Sequence, residues 1–330
     1  MLNHWRLIAG VFALALITHT TSAADNKTYT DPAKADSDFA YQGEYVASLK
    51  TEEGELKLGL QLIALGGGKF HAVGFEHGLP GAGWNKEDKH EADGELKDGE
   101  VVVKSEHGVA KFNRDAVTLY SVDGAEIGQG KKVQRESPTL GAKPPQGALV
   151  LFDGSTADAF EGGKLSDDKL LMPGAKSKQT FGDHQLHVEF CLPYQPDARG
   201  QGRGNSGLYL QGRFEVQMLD SFGLPTKDNE CGGLYSVSAA DVNMCLPPLT
   251  WQTYDVDFTA AKFDDSGKLL ANPRITVVHN GVVIHKDREL PAERSTTAAP
   301  VGPGKDKGPV YLQDHGNPVR YRNIWVLEKK

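Results

Sequence analysis

No stretch of this chain keeps its apolar residues at the three-and-four spacing of a helix; they come instead in short runs broken by glycine. EYVASLK, LGLQLIAL, KFHAVGF, EVVVKSE, VAKFN and AVTLYSV have the length and the β-branched or aromatic content of strands, with glycine-rich turns between them. LHVEFCL, SGLYLQ, RFEVQML, TYDVDFTA, ITVVH, VVIH, VYLQ and VRYRNIWVL continue the pattern towards the C-terminus. Asn280-Gly281 stands between ITVV and VVIH, the strongest short hairpin signal, because both central residues of a tight two-residue turn need positive φ. Many short strands joined by turns, with no internal repeat, predict an all-β protein built as a sandwich or jelly roll.

At 330 residues the chain suits two domains. Residues 39–136 read as a small all-β domain. Ser137 to Gly147 (SPTLGAKPPQG) carries three prolines and no apolar periodicity, so 137–148 is expected to be a linker. A second β domain then fills 149–330. Residues 25–38 are polar and aperiodic and are expected to form a flexible leader. Ahead of them MLNHWR, the apolar run Leu7–Ile17 and THTTSAA have the layout of a secretory signal peptide over 1–24, cleaved after Ala23 or Ala24. The run falls short of the ~20 apolar residues of a membrane span. The competing reading is an uncleaved anchor. The mature chain is therefore expected to be exported, periplasmic or extracellular, without membrane contact.

The formal charge is −8, and loss of the signal peptide removes Arg6 and no acid. That excludes a basic nucleic-acid footprint and says little about substrate. Three cysteines, Cys191, Cys231 and Cys245, allow one disulfide in an oxidising compartment. Cys231 and Cys245 bracket a short loop-like segment and are the expected pair. Cys191, in the alternating LHVEFCL, reads as a small buried apolar residue. No CxxC pair is present, so zinc and redox signatures are lacking.

The polar side chains of RFEVQMLD carry the chemistry. Alternation puts Phe214, Val216 and Met218 on one face and Glu215 and Gln217 on the other. Asp220 joins that row only if a β-bulge at Met218-Leu219 inserts one residue. The E-x-Q-x-x-D order is similar to the E-x-D-x-x-E row of laminarinase-type β-glucanases, whose outer carboxylates do acid/base and nucleophile work. The central amide argues against ordinary retaining chemistry. In NSGLYLQ, Asn205, Gly207, Tyr209 and Gln211 share a face: Gly207 leaves room for a ligand, and Tyr209 offers a ring and a hydroxyl. The preceding ARGQGRG lacks the Lys-Ser/Thr of a P-loop and reads as a mobile loop.

LQDHGNPVRYRN adds Gln313, Asp314, His315, Arg320 and Arg322. Asp314 beside His315 can orient an imidazole for proton transfer, though such a pair commonly only stabilises a turn. Arg320 and Arg322 are expected on one strand face, opposite Tyr321, Asn323 and Trp325. They can clamp or polarise a carbonyl or make structural ion pairs. Trp251 can stack on a sugar or pack in the core.

GNSGLYLQGRFEVQMLDSFG, CGGLYS, PPLTWQTYDVDFTAAKFD, ITVVHNGVVIH and LQDHGNPVRYRNIWV, in this order, resemble the 3-keto-disaccharide hydrolase domain family over about Leu149 to Glu328. The resemblance implies a concanavalin A-like jelly roll and cleavage of glycosides already oxidised to a ketone at sugar C3. It carries the family's polar blocks onto Glu215, Gln217 and Asp220, onto Asn205 and Tyr209, and onto Gln313, Asp314, His315 and Arg320. The domain before the linker is not explained by it and is left as a candidate contact for polysaccharide or the cell envelope.

A C3 ketone acidifies the C2 proton. A base removes it, the enolate expels the C1 substituent, and water adds across the double bond; without that addition the enzyme is a lyase. His315 or Glu215 is the expected base, Asp220 or Glu215 the group assisting departure, and Arg320 or Gln217 the partner of the C3 oxyanion. A divalent metal held by carboxylate and His ligands would serve the same electrostatic end, although no dedicated metal spacing is present. Two competing readings are a non-catalytic sugar-binding module and, less favoured because of Gln217, an endoglucanase. Convergence of Glu215, His315 and Arg320 on one point separates the enzyme from the binding module.

Overall fold

The computed structural model describes residues 27–51, 54–87 and 89–329. The expected signal peptide lies outside them. The first domain is a closed eight-stranded barrel: β1 (Gly43–Thr51), β2 (Gly54–Ala64), β3 (Lys69–Glu76), β4 (Lys89–Lys97), β5 (Glu100–Ser105), β6 (Gly108–Phe112), β7 (Ala116–Tyr120) and β8 (Glu126–Val133). Each strand pairs antiparallel with the next, and β8 returns to β1. Tyr45, Leu60, Leu62, Phe70, Val101 and Phe112 point into the interior. The end of β2 is buried on both faces: Leu60 and Leu62 enter the barrel, while Ile63 packs outward into the core of the second domain.

The second domain contains β9 (Leu149–Phe152), β10 (Phe160–Glu161), β11 (Ala175–Phe181), β12 (His184–Cys191), β13 (Ser206–Leu210), β14 (Phe214–Met218), β15 (Trp251–Thr259), β16 (Lys262–Phe263), β17 (Leu269–Ala271), β18 (Arg274–His279), β19 (Val282–Glu289), β20 (Gly308–Leu312) and β21 (Arg320–Glu328). A five-stranded sheet, β10-β11-β20-β13-β14, packs on a six-stranded sheet, β19-β18-β15-β12-β21-β9, and β16-β17 form a small ribbon. The protein is thus all-β, a barrel followed by a jelly-roll sandwich. Leu208, Phe214, Val216 and Met218 of one sheet meet Val188, Phe190, Tyr254 and Val256 of the other. Each such side chain contributes about 1.5–3 kcal/mol on burial. The β18–β19 hairpin turns on Asn280 (φ 49°) and Gly281 (φ 81°), with His279 opposite Val282.

Two segments expected to be loose make specific contacts among the described residues, the leader from residue 27 onward and the linker. In the leader, Tyr29 exchanges backbone hydrogen bonds with Tyr194, and Asp38 is buried with its carboxylate accepting the Gly68 N–H. The linker lies as a strap across the outer face of the six-stranded sheet. Ser137 bonds Thr253, Thr139 donates to Asp255 at 2.6 Å, the Gly141 N–H donates to Glu189, and Asn323 donates to the Ala142 carbonyl. The polar row on that sheet supplies partners to a strap that has no apolar pattern of its own.

Among the described residues no helix is long and apolar enough to cross a membrane. All three cysteines are free thiols, so the expected Cys231–Cys245 bridge is not formed. Both sulfurs are buried and lie in contact with each other as thiols; that of Cys245 also contacts the Leu219 and Leu246 carbonyls, each at 3.5 Å, and that of Cys231 the Tyr254 hydroxyl at 3.4 Å. Cys191 is half-buried, its thiol pushed up to about 12 by desolvation.

Candidate functional site

The β13–β14 hairpin builds the site. Gly207 lies opposite Gln217 and Tyr209 opposite Glu215. With Leu208, Val216 and Met218 directed into the core, these four residues share the outer face of the five-stranded sheet. The turn that reverses the chain has both Gln211 and Gly212 at positive φ. Glu215 is nevertheless only 2% exposed. A Cβ on Gly207 would lie 2.2 Å from its Oε1, so glycine at 207 gives the carboxylate its place.

Tyr209 donates its hydroxyl to Glu215 Oε2 at 2.6 Å, and Gln313 Nε2 donates to the Tyr209 oxygen at 3.2 Å. Burial pushes the Glu215 carboxyl up to about 7, the Tyr209 hydrogen bond opposing it only in part. Burial, reinforced by the neighbouring Glu215 charge, holds the Tyr209 phenol far above its usual range, so it stays a donor. A carboxyl poised near neutrality and fixed by one hydrogen bond is suited to take and return a proton.

Asn205 and Gln217 both donate to Gln201 Oε1, at 3.2 and 3.0 Å. The second Gln217 contact, to the Asn229 carbonyl, is long at 3.4 Å. Asn205 Oδ1 is buried without a partner, an acceptor that a sugar hydroxyl would satisfy. The loop containing Gln201, expected to be mobile, is thus part of the site. Sequence alternation could not find Gln201, which comes from a 3-10 turn (Gly200–Gly202), nor Thr297, whose carbonyl lies 3.1 Å from the Tyr209 hydroxyl. Glu230 was missed too; burial raises its carboxyl and Ser221 donates to it at 2.6 Å.

Asp220 has a different environment. Met218 and Leu219 are both core residues, so alternation slips by one just after β14 ends, and Asp220 pairs with Arg203 Nε at 2.6 Å. Both partners are at most 5% exposed. The two carboxylate oxygens of Asp220 are taken up by Arg203 Nε and the Phe222 N–H, so Asp220 makes a structural ion pair and is not turned to a leaving group. Arg203 also approaches the Ala64 carbonyl of the barrel at 3.5 Å, and Arg199 donates to that of Leu65 at 2.8 Å, so the barrel docks at the rim of this region.

Asp314 and His315 occupy an exposed turn after β20. Asp314 Oδ1 accepts the Gly316 N–H at 2.9 Å instead of orienting the imidazole. The His315 ring makes no hydrogen bond or ion pair among the described residues. Arg320 and Trp251 lie on the other sheet: Arg320 pairs in register with Cys191, and Trp251 stacks under Arg322 at 4.0 Å. The convergence of Glu215, His315 and Arg320 that was to mark the enzyme is therefore absent, and so is an aromatic platform at Trp251 that would mark a binding module, so neither criterion decides between the two readings. Arg322 pairs with Glu189 at 2.6 Å, and Asn323, at φ 45°, bulges the strand so that it too bonds Glu189 on the outer face rather than opposing Arg322. Burial would raise Glu189, but hydrogen bonds from His187, Asn323, Arg322 and Gly141 hold it down to about 2. Among the described residues no group of three or more His, Cys, Asp or Glu side chains could hold a metal ion.

A model of the 3-keto-alpha-glucoside-1,2-lyase-like domain matches residues 147–327. A solved structure of a proposed glycosyl hydrolase from Parabacteroides distasonis ATCC 8503 is 33% identical, covering 56% of this chain and 85% of its own, with a TM-score of 0.50. A second from the same organism, also described as a proposed glycosyl hydrolase, is 16% identical, covering 56% of this chain and 95% of its own, with a TM-score of 0.40. No curated protein matches the chain.

Proposed function

The chain belongs to the 3-keto-alpha-glucoside-1,2-lyase-like domain family through residues 147–327, and from that membership we propose that it cleaves 3-keto-glycosides, with Glu215 as the proton-transfer group. Family membership and the 33%-identical proposed glycosyl hydrolase support action on glycosides. The observation that carries the finer reading is the buried Glu215 carboxyl near pKa 7, held by Tyr209.

Glu215 as carboxylate takes the C2 proton of the 3-keto sugar, and the electron pair of that C–H bond becomes the enolate. The enolate expels the C1 oxygen, which takes a proton as the C1–O bond breaks; in a β-glucoside that oxygen shares a face with the C2 hydrogen and protonated Glu215 can return the proton, whereas in an α-glucoside the two are anti and water supplies it. Gln217 Nε2, whose second hydrogen makes only the long contact to Asn229, is the donor for the C3 oxyanion. Asn205 Oδ1 accepts a sugar hydroxyl. Water adding to the C1=C2 bond gives the 3-keto sugar, and omission of that step gives the unsaturated product. Because Glu215 is buried, substrate entry requires the segment carrying Thr297 to move; the Thr296 N–H to Arg213 carbonyl and Val301 N–H to Gly212 carbonyl bonds hold it down. We propose that this activity is exported, on the signal-peptide layout of residues 1–24 alone.

The test is aglycone release by purified protein from an aryl 3-keto-glucoside, with and without chelator. Release insensitive to chelator is expected, with Arg320→Ala within about twofold of wild type because that side chain lies on the opposite sheet. No release under either condition contradicts the enzyme reading; loss of activity with chelator contradicts the metal-free form of it.

A further inference from the structure

The barrel is filled over part of its interior and empty over the rest. Tyr41, Tyr45, Phe70 and Leu62 pack in the part of the interior that does not line the large cavity. Beyond Phe112 lies a cavity of about 590 Å³, within the ~300–1,000 Å³ range of small-molecule sites. An eight-stranded barrel is just wide enough either to be filled by side chains or to hold one small ligand. Small residues decide the outcome here: Ala72, Gly74, Ala92 and Ala110 line the cavity where larger side chains would close it. They leave Leu49, Leu58 and Ile127 half-buried against it.

The cavity also has an entrance. β4 pairs with β5 only from Gly94 opposite Val103 to Lys97 opposite Glu100, whereas Lys89–Asp93 pair with β3 alone. The wall parts along that stretch, and the slit is spanned by the rings of His90 and His107, 4.5 Å apart and edge to face. The acids at the mouth each have a partner: Lys89 pairs with Glu91, His71 contacts Glu91 and Asp93, and the His90 and His107 rings contact Glu76 and Glu106. Nothing there selects an ion. A narrow slit edged by rings, with apolar walls and Phe112 as floor, admits flat molecules.

We propose that the barrel cavity is a binding site for a flat, uncharged aromatic molecule entering between β4 and β5, separate from the Glu215 site. The full chain is titrated with N-phenyl-1-naphthylamine, followed by fluorescence. Saturable one-site binding is expected, competed by 2-naphthol and not by decanoate. Ala92→Phe and Ala110→Trp, which fill the slit and the cavity, are expected to weaken it by about tenfold or more, while Glu215→Gln leaves it unchanged. Thermal unfolding of each variant shows whether it is folded, and Ala92→Phe, at the half-buried slit edge, serves if Ala110→Trp is not. Absence of saturable binding, binding indifferent to both filling substitutions in folded protein, loss in Glu215→Gln, or displacement by decanoate but not by 2-naphthol would each overturn the proposal.

Discussion

Glu215→Gln is expected to abolish aglycone release and, at the same time, to make the protein more stable at pH 8. The activity loss follows from removal of the proton-transfer group, typically worth about 10²–10⁴-fold. The stability gain follows from linkage. The carboxyl has a pKa raised to about 7 in the folded chain from its ordinary value of 4.5, so between those values the folded state holds more protons than the unfolded one. Stability therefore falls as pH rises through that window, and above it the buried charge costs up to roughly 3 kcal/mol at about 1.4 kcal/mol per unit. Glutamine still accepts the Tyr209 hydrogen bond but carries no charge to bury. Thermal unfolding should show variant and wild type alike near pH 4 and the variant ahead at pH 8. Equal stability at both pH values would mean that Glu215 is not the buried, proton-holding group described.

Asp220→Ala is expected to destabilise the fold by about 3–5 kcal/mol, because it leaves the buried Arg203 guanidinium without its counter-charge. Its remaining contacts, to the Ala64 carbonyl at 3.5 Å, are too long to compensate. Replacing both partners, Arg203→Met with Asp220→Leu, should recover most of the loss, since an apolar pair of similar volume carries no desolvation penalty. Denaturant unfolding measures both. A loss below about 1 kcal/mol for Asp220→Ala would place the pair in the solvent-screened class and remove its structural role.

Alternation alone made the polar face of β13 and β14 legible, because Tyr209, Glu215 and Gln217 occupy every second position beside core residues. Which sheet a strand joins is not written in its alternation, and that is where the sequence misled. β20 and β21 are neighbours in the chain, but β20 pairs with β11 and β13 while β21 pairs with β12 and β9. The LQDHGNPVR turn crosses from one sheet to the other. Gln313, before the crossing, reaches Tyr209; Arg320, after it, ends on the far side of the sandwich. The local periods of β21 were also shifted by the bulge at Asn323, a residue type that tolerates positive φ but whose presence in a strand does not by itself fix a bulge. Gln201 and Thr297 come from loops, whose path depends on what they dock against. The strap was misjudged for the same reason: its partners, Glu189, Asp255 and Asn323, are brought together only by the folded sheet.

The central claim is that Glu215 removes the proton at C2 of a 3-keto sugar. Its most direct measurement is the rate of aglycone release from a 3-keto-glucoside carrying deuterium at C2, compared with the protonated substrate under single-turnover conditions. A primary isotope effect is predicted, together with no release from the parent glucoside, whose C2 proton no ketone acidifies. Equal rates for the two isotopologues, with release from the unoxidised glucoside as well, would contradict the account.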